Sequence, residues 1–170
     1  MGLLRHRDHG DNGMVRYQMR EKLVSIGDDS WIEDAAGNRA FKADGKAARL
    51  RHTVVLEDAH GNEVAKIKDR PVHLRDVTDI DLGDHSAKVR KALVGFRDRF
   101  HVEVDGAEDL KVHGNILDHE YEIEQDGATV ATISKKWFRV RDTYGVEVVP
   151  TADIPLVLAV TVAVDDMSHD

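Results

Sequence analysis

Near its carboxyl end the chain reads LVLAVTVAV, Leu156 to Val164, with Thr161 as the single polar residue. A stretch without a polar side must be enclosed wherever it sits, so it restricts the fold more than any other part of the sequence. As a strand it would be buried on both faces. As a helix it would be apolar all round and would lie inside a core or a membrane. The valines favour a strand, because β-branching restricts χ1 in a helix. Asp153 offers a helix N-cap and Pro155 is tolerated in a first turn, which favours a helix. The residues alone leave both forms open. The nine apolar-run residues fall far short of the roughly 20 that a membrane-spanning helix needs.

Elsewhere the pattern has a period of two. Val15, Tyr17 and Met19 alternate with Arg16, Gln18 and Arg20, as expected for a half-buried strand. The same alternation returns at Tyr121 and Ile123, at Phe138 and Val140, and at Tyr144, Val146 and Val148. Turn signals separate these runs. WIEDAAGNRAF and VLEDAHGNEVA place Asp34 and Asp58 in equivalent positions before Gly-Asn, a device for hairpin loops of a few residues. Asp44-Gly45, Asp105-Gly106 and Asp126-Gly127 are tighter versions. Only three prolines occur, so few strands are interrupted. Residues 1–13 carry no apolar period and read as a loose tail; 14–167 read as one all-β domain. Tyr17, Trp31, Phe41, Ile133, Phe138 and Val146 are the expected inward-facing residues.

Length and charge then exclude several function classes. A chain of 170 residues suits one domain with a substantial core. No cysteine is present, which rules out disulfides, thiolate metal sites and thiol nucleophiles and fits a cytoplasmic protein. The start, MGLLRHRDHGDNG, has no apolar signal region. A formal net charge of −8 argues against a nucleic-acid partner held by phosphate neutralisation.

The ordered series RYQMREKLVSIGDDSWIEDAAGNRAFKADGK, LEDAHGNEVAKI, AKVRKA, FHVEVDGAEDLKVHGN, YEIEQDGATVATISKKWF, TYGVEV and LVLAVTVAVDD resembles the LURP-one-related family from about Val15 to Asp166. The resemblance implies a tubby-C-terminal-like fold, as expected also for phospholipid scramblases. That fold is mainly β: a closed antiparallel barrel of about twelve strands around a central hydrophobic helix near the carboxyl end. Only a barrel well beyond eight strands has room for a helix about 10–12 Å across. With its interior so filled, any binding must happen outside.

No catalytic constellation is found. Ser25, Ser30, Ser86, Ser134 and Ser168 lie in no nucleophile elbow, and no phosphate-binding loop is present. The ten histidines are scattered, with His6 and His9 in the tail, so neither a metal site nor a cofactor is expected. The acidic run from Asp76 to His85 fails the EF-hand pattern and reads as a hairpin tip. Two basic clusters remain: Lys88, Arg90 and Lys91, with Arg97 and Arg99 beyond, and Lys135 and Lys136, with Arg139 and Arg141. They are the candidate surface for an anionic head group. The alternative is that they serve only as the polar outside of strands. The resulting expectation is a non-catalytic binding or scaffold domain for an unknown protein partner. Its rival is a membrane-peripheral scramblase-like or phosphoinositide-binding protein that acts through this basic surface.

Overall fold

Among the described residues there are twelve strands and one helix. The computed structural model describes residues 13–21, 29–44, 53–69, 77–94, 97–137 and 142–168, the side chains at 93, 94, 97 and 98 apart. The strands are β1 (Val15–Arg20), β2 (Ser30–Asp34), β3 (Arg39–Asp44), β4 (Thr53–Asp58), β5 (Glu63–Asp69) and β6 (Val77–Asp81). They continue as β7 (Ser86–Val94), β8 (Arg97–Val104), β9 (Leu110–Asn115), β10 (Glu120–Gln125), β11 (Ala128–Ser134) and β12 (Thr143–Val148). Each strand pairs antiparallel with its neighbours in sequence, and β1 with β12 closes the ring. Closure leaves no exposed sheet edge. Helix α1 (Ile154–Ser168) follows β12.

The hairpin tips form as their residues dictate. Asp34 Oδ1 accepts the backbone N–H groups of Ala36 and Asn38 at 3.0 and 2.9 Å. Asp58 Oδ1 does the same for His60 and Asn62, both at 2.9 Å. These bonds hold the Asp58 carboxyl below its ordinary range, the N–H of Asn62 contributing most. Asp126 and Gly127 both have positive φ, 51° and 75°, as a tight two-residue turn requires. The acidic run around Asp81 is the expected hairpin tip, with Leu82 N–H donating to the His85 carbonyl. Gly45, Phe138 and Val140 lie outside the described residues, as do the tail to residue 12, His6, His9, His52, His73, Arg139 and Arg141.

The apolar run is a helix, and it runs through the barrel. Every residue from Leu156 to Asp165 is buried, on all sides of the helix axis. The helix packs on β5, β6 and β7 and also on β12. Six strand steps separate β6 from β12 in a ring of twelve, so these walls stand opposite each other. An element touching both lies between them. The helix is 15 residues long, about 22 Å at 1.5 Å per residue, longer than the apolar run because Asp165 and Met167 are also enclosed. Asp153 caps it: its Oδ1 accepts the Leu156 N–H at 3.2 Å. Thr161 is tolerated because its hydroxyl donates to the Val157 carbonyl at 2.8 Å.

Tyr17, Ile133 and Val146 face inward as expected. Phe41 is partly buried and meets the Tyr17 ring edge-on at 5.8 Å between centroids. Trp31 corrects the expectation. In β2 the inward positions are Ser30 and Ile32, so period two turns Trp31 to the outer wall. There the Arg39 guanidinium covers its ring at 4.5 Å.

Candidate functional site

Strand register decides what the first basic cluster faces. Lys88 is paired with Asp79 on β6 and with Glu103 on β8, and Asp79 is paired in turn with Lys68 on β5. The outer wall therefore carries a row of alternating charge, Lys68–Asp79–Lys88–Glu103. Opposite charges directly across a ladder stabilise it. Arg90 Nε reaches Glu103 at 3.2 Å, with both side chains about half exposed, so this pair contributes little. Lys91 has the inward parity of Ala87 and Val89 and is paired with the buried Phe100. The three residues thus divide between the two faces of β7.

A surface cleft of about 560 Å³ lies over this row. Asp79, Asp81, Glu103 and Asp105 line it, together with Lys68, Lys88 and Ser86. Four carboxylates against two ammonium groups make the cleft acidic on balance, although a basic segment of sequence runs through it.

The second basic cluster is elsewhere. Lys135 and Lys136 follow β11, four strands round the ring from β7. Lys135 is ion-paired with Glu21. Its backbone N–H donates to Glu120 Oε1 at 3.2 Å, and Glu120 also accepts from the Ser134 hydroxyl at 2.9 Å. Lys136 is exposed, beside a half-buried Trp137 whose ring lies 4.6 Å from the Arg16 guanidinium. The structure does not bring the two basic clusters together.

At the carboxyl end of α1 the core becomes polar. His119 Nε2 lies 2.9 Å from Asp165 Oδ1, with side-chain exposures of only 3% and 6%. The contact is an ion-pair distance without linear hydrogen-bond geometry. Tyr144 lies against the His119 ring at 4.4 Å between centroids. Its hydroxyl is buried with no hydrogen-bond partner among the described residues. Burial pushes the phenols of Tyr121 and Tyr144 well above the ordinary range, and the Asp165 carboxylate adds to the effect in both. Thr161, one helical turn before Asp165, bonds the Tyr121 hydroxyl and opposes it. His119 has φ 52°, an uncommon conformation for a residue with a side chain. A buried His–Asp pair invites a catalytic reading, but substrate has no approach to groups so enclosed. Its evident effect is to fasten the end of the helix to the β9–β10 turn. Sequence reading missed the pair because 46 residues separate its members.

At the other end of the helix His85 joins the cap to a neighbouring hairpin. Its Nε2 lies 2.6 Å from Asp153 Oδ2, and its Nδ1 contacts Asp84. Asp84, then Asp153, raises the imidazole pKa above the usual value. Among the described residues one trio has its metal-type ligand atoms within 4.8 Å of one another: His113 on β9 with Glu122 and Glu124 on β10. The sequence gives each singly; the hairpin register, Glu122 opposite His113, assembles them.

The family model described as LURP-one-related matches residues 15–165, nearly the whole barrel and helix. The chain belongs to the LURP-one-related family. A curated relative, the uncharacterized protein YxjI of Bacillus subtilis, is 21% identical over 153 residues, covering 89% of this chain and 93% of its own. An X-ray structure of a protein from Arabidopsis thaliana is similar in fold, with a TM-score of 0.58 at 20% identity. It covers 90% of this chain and 91% of that one. The family match runs from the start of β1 to Asp165 in α1. No helix among the described residues is long and apolar enough to cross a membrane.

Proposed function

We propose that this chain is a non-catalytic binding domain that engages a protein partner on its outer wall, at the acid-lined cleft over β5–β8. One observation carries the reading: the barrel interior is occupied by its own helix, Leu158 and Val160 being fully buried, which points recognition to the outer wall. The cleft offers charge of both signs on a rigid sheet, with carboxylates in excess. That suits a partner segment that presents lysine or arginine, since complementary charge speeds encounter and fixes register. The test is a photo-crosslinking residue at Ser86 in the cleft, with Gln18 as a control on a distant strand, in cells of the source organism. The reading expects a discrete protein adduct at Ser86 that is lost when Asp79 and Asp81 are changed to Asn. Equal adducts at both positions, or none at Ser86, would contradict it.

A second reading is favoured by Lys136, exposed beside Trp137. Here Lys135 and Lys136, with the outward-facing Lys88 and Arg90 on a separate part of the wall and Lys91 turned the other way, meet anionic head groups of a membrane surface. Each basic group near such a surface contributes about 1 kcal/mol. Flotation with phosphatidylserine and phosphoinositide vesicles should then fall with salt and with Lys136→Glu. Salt-insensitive flotation, or none, would remove this reading.

A further inference from the structure

We infer that the outer wall of the β9–β10 hairpin holds a site for a divalent transition-metal ion, built from His113, Glu122 and Glu124. Three facts support it. The donor set is right: imidazole nitrogen with carboxylate oxygen suits Zn²⁺ and its neighbours in the first transition row, whereas oxygen alone would suit Ca²⁺ or Mg²⁺. The placement is rigid, because all three residues stand on paired strands rather than on a loop. Glu122 lies directly opposite His113, and Glu124, two residues on, projects from the same face and meets it diagonally.

The distances are close to what a metal needs. Zn–N and Zn–O bonds of about 2.0–2.1 Å at a tetrahedral centre set neighbouring ligand atoms about 3.3 Å apart. His113 Nε2 and Glu124 Oε1 are already 2.9 Å apart. An ion entering between them has to part them by only a few tenths of an ångström. Glu122 must come closer, since the trio spans up to 4.8 Å, and its long side chain can do so by rotation. What it gives up is small: its bond from the Thr129 hydroxyl is 3.5 Å long. The ion would also offset the crowding of Glu120, Glu122 and Glu124, three carboxylates at alternate positions of one strand. With three protein ligands the fourth position faces solvent and takes water, as in open zinc sites.

The probe is the metal alone, titrated into the full chain. Calorimetry with ZnCl₂ should give saturable binding with one ion per chain at this site. Co²⁺ should give the intense visible absorption of a four-coordinate centre. His113→Ala and Glu122→Gln should each weaken binding by at least about tenfold. His101→Ala is the control, because His101, on the adjacent strand β8, pairs with Asp109 at 3.0 Å and belongs to no such trio among the described residues. Glu122→Gln keeps the side chain's shape on the outer wall, so it remains informative if His113→Ala unfolds. Binding that survives both changes, that depends equally on His101, or that never saturates overturns the proposal. Selectivity for Ca²⁺ over Zn²⁺ overturns it as well.

Discussion

Replacing Leu158 with Ala tests how completely the helix fills the barrel. Leu158 is fully buried in the second turn of α1. Removing three carbons forfeits about 2.4 kcal/mol of transfer free energy at ~0.8 kcal/mol per methylene. If the walls do not collapse, a void of about 60 Å³ adds roughly 1.4 kcal/mol at ~24 cal/mol per Å³. The expected cost is therefore about 4 kcal/mol. For a domain of this size that corresponds to a fall in melting midpoint of about 8–16 °C. Leu117, 60% exposed in the β9–β10 turn, is the matched control, and Leu117→Ala should change stability by less than about 0.5 kcal/mol. Urea unfolding of both variants, followed by circular dichroism, measures the difference. A cost at Leu158 below about 1 kcal/mol, or equal to that at Leu117, would mean that the helix is not tightly enclosed.

Other consequences concern charge and backbone. The raised His85 pKa means that its contacts with Asp84 and Asp153 stabilise the fold fully below the ordinary histidine value of about 6.5. That contribution is lost as pH rises through the raised value, so His85→Ala should cost more at pH 6 than at pH 9 in parallel urea melts. All three tyrosines, Tyr17, Tyr121 and Tyr144, have phenols raised chiefly by burial. Phenolate absorbance should stay low through the ordinary tyrosine range near 10 and then rise together with alkaline unfolding; an independent titration near that value would contradict their burial. Gly114 has φ 134°, and a Cβ there would stand 2.7 Å from the Tyr121 Cα. Gly114→Ala should therefore lower the melting midpoint much more than Gly61→Ala, whose Cβ would meet nothing within 4 Å.

Much of the barrel was legible in the sequence because the features that specify it are local. The alternation of Val15 to Arg20, the paired Asp34 and Asp58 tips and the Asp126-Gly127 turn need no knowledge of distant residues. The apolar run was different. Valine content and the Asp153 cap pull in opposite directions, and only enclosure by strands opposite each other in the ring decides the matter. The resemblance, not the pattern, pointed to the helix. Trp31 was misread because it sits next to Ile32, and two adjacent apolar residues do not say which of them faces the core. The site was the least legible. Lys88 reads as basic along the chain and lies in an acidic cleft in space, because Asp79 and Glu103 come to it from other strands. His119 and Asp165, and the trio around His113, likewise exist only through register and closure.

Whether the barrel is filled by its own helix can be read from thiol accessibility. The chain has no cysteine, so a single introduced one reports without background. Successive residues of a helix point about 100° apart, so cysteines placed one at a time at Val157, Leu158, Ala159 and Val160 sample every side of α1. Labelling in native buffer, with Lys136→Cys as the exposed reference, is compared for each. All four positions should react only as fast as the whole domain unfolds, with rates that rise with urea as global stability falls. If any one of the four reacts as quickly as the cysteine at position 136, the helix lies on the barrel rather than in it.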